Sequence, residues 1–180
     1  MILMDKKALR SSVRVRLRAL QNEDKILYST MITKSLESHL AVCGARVVAL
    51  FSPLPDEPQL WPLVDELSKK GVVVVLPRVE GDSMNFYGYN VSTMSLGSYG
   101  IMEPDDAIPV SPGEIDAMVV PGVAFTESGL RLGRGKGFYD KYMSHPDFRA
   151  LKLGVCYPVQ IVGEVPHEPH DKTMDVVIYM

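Results

Sequence analysis

The chain has 180 residues, 46% of them apolar and 23% charged, with a formal net charge of −3. That size suits one domain spanning residues 1–180, large enough to bury a core without metal or disulfide staples. The slight acidity excludes general attraction to nucleic acid or to an anionic membrane, so any anion site has to be local. Cys43 and Cys156 read as reduced thiols, and Met1 to Met4 is too short for a secretory leader or a membrane span. A cytoplasmic protein is expected.

Asp5 can cap a first helix whose apolar positions Leu9, Val13, Leu17 and Leu20 recur at helical spacing. Its other face carries Lys6, Lys7, Arg10, Arg14 and Arg18, either a solvated surface or an anion contact. Asn22 or Asp24 opens a second helix running to about Leu40, and Arg46 to Phe51 reads as a buried strand. Ser52 to Pro58 is too rich in proline to continue it and is expected to form a loop at the strand's carboxyl end.

Gln59 to Lys70 is helix-like, Gly71 can terminate it, and Val72 to Leu76 forms the next strand, which makes a β-α-β unit with a parallel crossover. Asn85 to Tyr89 is a short strand, and Ser92 to Gly113 reads as irregular connection. Further strands are predicted at Asp116 to Val120, Leu151 to Cys156 and Asp175 to Tyr179, with a helix over Phe138 to Met143. The alternation implies a three-layer α/β/α fold around a mainly parallel central sheet, Rossmann-like in outline. Such sheets place their sites beyond the carboxyl ends of the strands, here the loops after Phe51, Val120 and Cys156.

One of those stretches carries chemistry. Gly133, Gly135 and Gly137 alternate with Arg134 and Lys136, so the backbone can bend tightly while two cations and several N–H groups stay available. This suits a phosphate, with a helix starting near Phe138 adding its positive end, although a flexible turn with incidental charges has the same pattern. The run is neither the nucleoside-triphosphate loop nor the dinucleotide fingerprint. Asp140 beside it is either a helix-terminal charge or an oxygen ligand for Mg²⁺, which bridges few carboxylates to phosphate oxygens. The histidines and cysteines show no zinc-ligand spacing.

The wider pattern is more specific. Pro121 to Phe125, followed by Gly129-Leu130-Arg131-Leu132-Gly133-Arg134-Gly135-Lys136-Gly137-Phe138-Tyr139-Asp140, resembles the signature of the 5-formyltetrahydrofolate cyclo-ligase (5,10-methenyltetrahydrofolate synthetase) family. Lys6 to Arg10, Asp56-Glu57, Leu76-Pro77-Arg78, Gly100 to Pro104, Gln160, Pro166 and His170-Asp171 extend the resemblance over nearly the whole chain.

The resemblance implies a ligase of tetrahydrofolate interconversion that uses ATP as co-substrate and Mg²⁺ to close the 5-formyl group onto N10. It implies that Lys6, Lys7, Ala8, Leu9 and Arg10, together with Arg131, Leu132, Gly133, Arg134, Gly135, Lys136, Gly137, Phe138 and Tyr139, contact ATP. Ser52, Glu57, Tyr99, Arg134, Gly135, Lys136, Gly137 and Phe138 are then the folate side, Arg134 and Lys136 the catalytic cations, and Asp140 and Asp171 the Mg²⁺ ligands. Glu57 can accept paired N–H donors of a pterin edge, and Tyr99 can stack or simply pack. His170 can contact phosphate or orient Asp171. Many members of the family have Tyr where this chain has Phe138, so a hydroxyl there is lost or supplied by Tyr139. Expected partners are small molecules, without nucleic acid or membrane, for a monomer or a dimer. The rivals are an enzyme of the same fold acting on another formamide, and a regulator without catalysis.

Overall fold

Asp5 accepts a hydrogen bond from the Ala8 N–H at 2.6 Å and opens α1 (Lys6–Ala19), which buries Leu9, Val13 and Leu17. This computed structural model describes residues 5–97, 99–105 and 108–180, so the apolar Met1 to Met4 segment lies outside the described residues. Helix α2 (Asn22–Cys43) ends at Gly44, and α3 (Trp61–Lys69) carries Pro62 in its first turn, where a missing N–H is harmless. No helix among the described residues is long and apolar enough to cross a membrane.

The strands are β1 (Val47–Ala49), β2 (Val73–Glu80), β3 (Ser83–Gly88), β4 (Met94–Leu96), β5 (Met102–Pro104), β6 (Ala117–Pro121), β7 (Ala124–Phe125), β8 (Arg131–Leu132), β9 (Leu151–Cys156) and β10 (Val176–Tyr179). Six of them form the main sheet in the order β10-β9-β6-β1-β2-β3, in which only the β2–β3 pair is antiparallel. The chain is thus mixed α/β with a mainly parallel central sheet.

Alternation along the strands builds the layers. Val48, Leu50, Val74, Leu76, Val119, Leu153 and Val155 face a core shared with α1, α2 and α3. Ala49, Val75, Met118, Val120 and Cys156 face the opposite way, toward Phe125 and the Tyr142 and Met143 side chains of α4 (Phe138–Met143). The two faces are unequal, with three helices on one and a helix of only 6 residues on the other.

The structure corrects two sequence expectations. The strand expected to stop at Leu76 continues through Pro77 to Glu80 and turns into β3, which starts at Ser83 instead of Asn85. Proline is tolerated there because Val75 accepts from Leu50, so the backbone two residues later faces the same flank, where β1 has already ended. Second, the Ser92 to Gly113 stretch contains the antiparallel pair β4–β5, although Ser98, Asp106 and Ala107 lie outside the described residues. In addition, β7 and β8, for which the sequence carried no expectation, form a two-stranded hairpin that holds the root of the glycine-rich run.

Strand order also locates the site. The chain leaves β1 toward β2 on one side and leaves β6 toward β9 on the other, so the loops after β1 and β6 diverge from neighbouring strands. That topological switch point opens a crevice at the carboxyl edge.

Candidate functional site

The crevice holds a cavity of about 660 Å³, a size that accommodates a substantial small-molecule ligand. Its walls come from the amino-terminal turns of α1, the 52–57 loop, the 131–140 run, β5 with the residues before it, and the 168–171 turn. The loop after β9 does not reach the cavity and acts from beneath. Gln160 donates to the carbonyls of Gly122 and Val123 at 2.8 and 3.1 Å, and the Tyr157 hydroxyl donates to the Glu57 carbonyl at 2.9 Å.

The glycine-rich run is supported at its root by Arg131. Its guanidinium, with the side chain 4% exposed, reaches the Asp140 carboxylate at 2.6 Å and the Pro121 carbonyl at 3.1 Å. Beyond it, Gly135 and Gly137 take φ values of 111° and 70°, left-handed conformations that a side chain would strain. Gly137 then leads into α4. With so few residues the helix contributes only a weak dipole, and the first-turn N–H groups matter more.

At the tip the charges face the cavity. Arg134 donates through Nε to Glu57 Oε1 at 3.0 Å and through a terminal nitrogen to Glu57 Oε1 at 2.9 Å and Asp56 Oδ1 at 2.6 Å. Lys136 is exposed on the rim and has no hydrogen-bond or ion-pair partner among the described residues. Burial raises the Glu57 carboxyl above its ordinary range, with Arg134 and the Leu54 N–H pulling the other way.

From α1, Arg10 reaches the glycine-rich run and Lys6 the 168–171 turn. Arg10 Nε donates to the Gly133 carbonyl at 2.8 Å, while Lys6 Nζ lies 2.7 Å from Asp171 Oδ2 and 3.4 Å from Glu168 Oε1. Burial alone would lower the Lys6 ammonium, but the hydrogen bonds and charge of Asp171 and Glu168 outweigh it and leave it raised. For Asp171, burial opposes ionisation and the Lys6 hydrogen bond prevails, holding the carboxyl below its ordinary value. His170 Nε2 lies 3.2 Å from Glu168 and 3.7 Å from Asp171, beside the carboxylates.

Of the residues singled out in the sequence, the cavity wall includes Lys6, Arg10, Ser52, Glu57, Tyr99, Arg131 to Asp140 and Asp171. Three do not reach it: Lys7 and Ala8 point to solvent, and Leu9 belongs to the core. Ser52 is buried and donates to the Met102 carbonyl, so it ties the loop after β1 to β5. Tyr99 meets Phe138 edge to face with ring centroids 6.4 Å apart, and burial raises the Tyr139 phenol far above its ordinary value.

Sequence reasoning did not anticipate the Asp56–Glu57 clamp on Arg134, the contribution of Glu168, or Glu103, a buried carboxylate in the wall formed by β5. Adjacent carboxylates in a loop at a strand's carboxyl end were the available signal for the clamp. Glu103 sat in a stretch with no periodicity to place it.

Residues 3–180 match the model of the 5-formyltetrahydrofolate cyclo-ligase family. The chain belongs to the 5-formyltetrahydrofolate cyclo-ligase family. It is an enzyme of that family, similar to the 5-formyltetrahydrofolate cyclo-ligase of Mus musculus at 26% identity over 188 residues, covering 97% of this chain and 93% of the relative. It is similar to that of Mycolicibacterium smegmatis at 34% over 149 residues, 78% and 76% of the two chains. The solved 5,10-methenyltetrahydrofolate synthetase of Aquifex aeolicus aligns with a TM-score of 0.86 at 34% identity, over 98% of this chain and 90% of the other. The Mycoplasma pneumoniae synthetase gives a TM-score of 0.80 at 26% identity over 97% and 98%.

Proposed function

We propose that this chain catalyses the ATP-dependent cyclisation of 5-formyltetrahydrofolate to 5,10-methenyltetrahydrofolate, with release of ADP and phosphate. The observation that carries the reading is the convergence of Lys6, Arg10, Arg134 and Lys136 with a largely apolar wall on one cavity, in a chain matching the family over residues 3–180. A cationic mouth suits a polyphosphate and an apolar wall suits a pterin, so the two substrates would meet at the glycine-rich loop.

In the reaction the formyl oxygen attacks the γ-phosphorus and ADP leaves. N10 then attacks the formyl carbon and loses its proton, and the carbon–oxygen bond breaks with the oxygen departing in phosphate. Phosphoryl transfer depends on positioning and charge more than on a protein nucleophile. Lys6 and Arg10, one helical turn apart, would hold the polyphosphate, and Arg134 and Lys136 would neutralise the transferring group. Ser52, Glu57, Tyr99 and Phe138 would border the folate, with Glu57 also presenting Arg134.

Asp140 and Asp171 would hold Mg²⁺. Both line the cavity and present hard oxygens, although each already accepts a cation, Arg131 and Lys6 respectively. Among the described residues no group of three or more His, Cys, Asp or Glu could hold a metal alone. Such a donor set fits an ion that completes its shell with water and phosphate oxygens. When bound, Mg²⁺ supplies charge neutralisation at those oxygens.

The test is a mixture of purified protein, 5-formyltetrahydrofolate, ATP and Mg²⁺, followed by the absorbance of the methenyl product. Well-folded protein that gives no signal would sink the proposal.

A further inference from the structure

Glu57 has little hydrogen-bonding capacity left for a ligand. Its Oε1 receives two donors from Arg134, and its Oε2 receives the Leu54 N–H at 2.9 Å. The same cavity holds a second carboxylate in a different condition. Glu103 is only 5% exposed and lines the cavity, and its hydrogen bond among the described residues is the Val79 N–H to Oε1 at 3.2 Å. No arginine or lysine pairs with it among the described residues.

A carboxylate this buried, with one neutral donor and no cation, is costly unless a ligand completes it. Three features hold it in place. The Ser52 hydroxyl anchors the adjacent Met102 carbonyl, the Arg78 guanidinium donates to the following Pro104 carbonyl at 3.1 Å, and Gly97 leaves the space that the carboxylate fills. A side-chain carbon at Gly97 would run into the Glu103 carboxyl group. Val79, Met84 and Ile101 give the surrounding wall an apolar character that suits a flat heterocycle.

We infer that Glu103 is a specificity-determining residue that accepts a pair of adjacent N–H donors from the edge of the bound heterocycle. On the proposed function, on which this inference rests, that edge is the 2-amino group and N3–H of the reduced pterin. A carboxylate matches this donor–donor pair with two parallel bonds. Glu57 borders the same ligand with its carboxylate committed to presenting Arg134, and the paired N–H donors fall to Glu103.

The experiment titrates 5-formyltetrahydrofolate, without ATP, into the wild-type protein, Glu103→Gln and Gly97→Ala. The titration is repeated with an analogue whose 2-amino group is replaced by methyl. Glutamine keeps an acceptor for the Val79 N–H but cannot take two ligand donors, and alanine at 97 displaces the carboxylate without removing it.

Expected are a loss of folate affinity of about 10- to 100-fold in both variants, unchanged ATP affinity and unfolding temperature, and collapse of the wild-type preference for the amino compound. KM for the folate rises while kcat stays near wild type. Folded variants that retain full affinity or full preference would overturn the inference and leave the enzymatic proposal standing. Wild-type protein that binds no reduced folate would overturn both. Should Glu103→Gln not fold, Gly97→Ala decides by the same readouts.

Discussion

Arg131 and Arg134 lie three positions apart in one loop, yet they belong to different physical regimes. Arg131 sits at the root, 4% exposed, fixed between a carboxylate and a main-chain carbonyl. Arg134 sits at the tip, 35% exposed, resting on two acids from another loop. The contrast teaches that a motif read as a single string of cations divides into scaffold and working surface. The division follows the hairpin: Arg131 lies within β8, and Arg134 follows it on the way to the left-handed glycines.

The sharpest way to break that division is Arg131→Met. Removing one member of a buried pair leaves Asp140 without its cation, so unfolding stability should fall by about 3–5 kcal/mol, measured by urea denaturation. A loss below about 1 kcal/mol, the range of exposed pairs, would place root and tip in the same class. Next comes Lys136→Ala, for which turnover should fall by about 10²–10³-fold while the denaturation midpoint stays put. Near-normal turnover would remove Lys136 from the mechanism.

Arg134→Gln sharpens the comparison through pH. Arg134 lowers a Glu57 carboxyl that burial has raised, so its loss should move the Glu57 titration further up, as followed by carbon NMR of labelled glutamate. A folded-state value above the ordinary 4.5 disfavours folding increasingly as pH rises through that window. The variant should therefore lose stability relative to wild type as pH rises from the wild-type folded-state value, itself above 4.5, to the variant's higher one. No pH dependence in the difference would mean that Arg134 does not set the charge state of Glu57.

The smallest effect is expected outside the loop. Hydrogen bonds from Asn85, Arg78 and Tyr87 lower the Glu80 carboxyl to about 2. Its contribution is present above the ordinary 4.5 and is lost as pH falls toward 2. Because the pair is solvent-accessible, Glu80→Gln should cost at most about 1 kcal/mol at neutral pH, vanishing in acid. A penalty that persists below pH 2 would point to packing instead.

These contrasts also explain what was legible in the sequence. The β-branched runs at β1, β2 and β6 announced buried parallel strands, and the glycines announced the bend that exposes Arg134 and Lys136. Strands of 2 or 3 residues such as β4, β5, β7 and β8 are too short for periodicity to show. They form because neighbouring structure supplies their partners. Pairings such as Arg134 with Asp56 and Glu57 join loops far apart in the chain, and no local spacing encodes them. Glu103 was quoted within the resemblance but received no role, since its burial depends on the space beside Gly97.

The contact between Lys6 and Asp171 spans 165 residues. A growing chain extends by about 5–20 residues per second, so the first helix waits roughly ten to thirty seconds before its carboxylate partner exists. In that interval the cations of α1 are already displayed while the turn that closes on them is not. The wall that joins α1 to the 168–171 turn is thus among the last features of the cavity to mature, and any agent that engages the cationic helix during synthesis competes with the chain's own late-arriving acid.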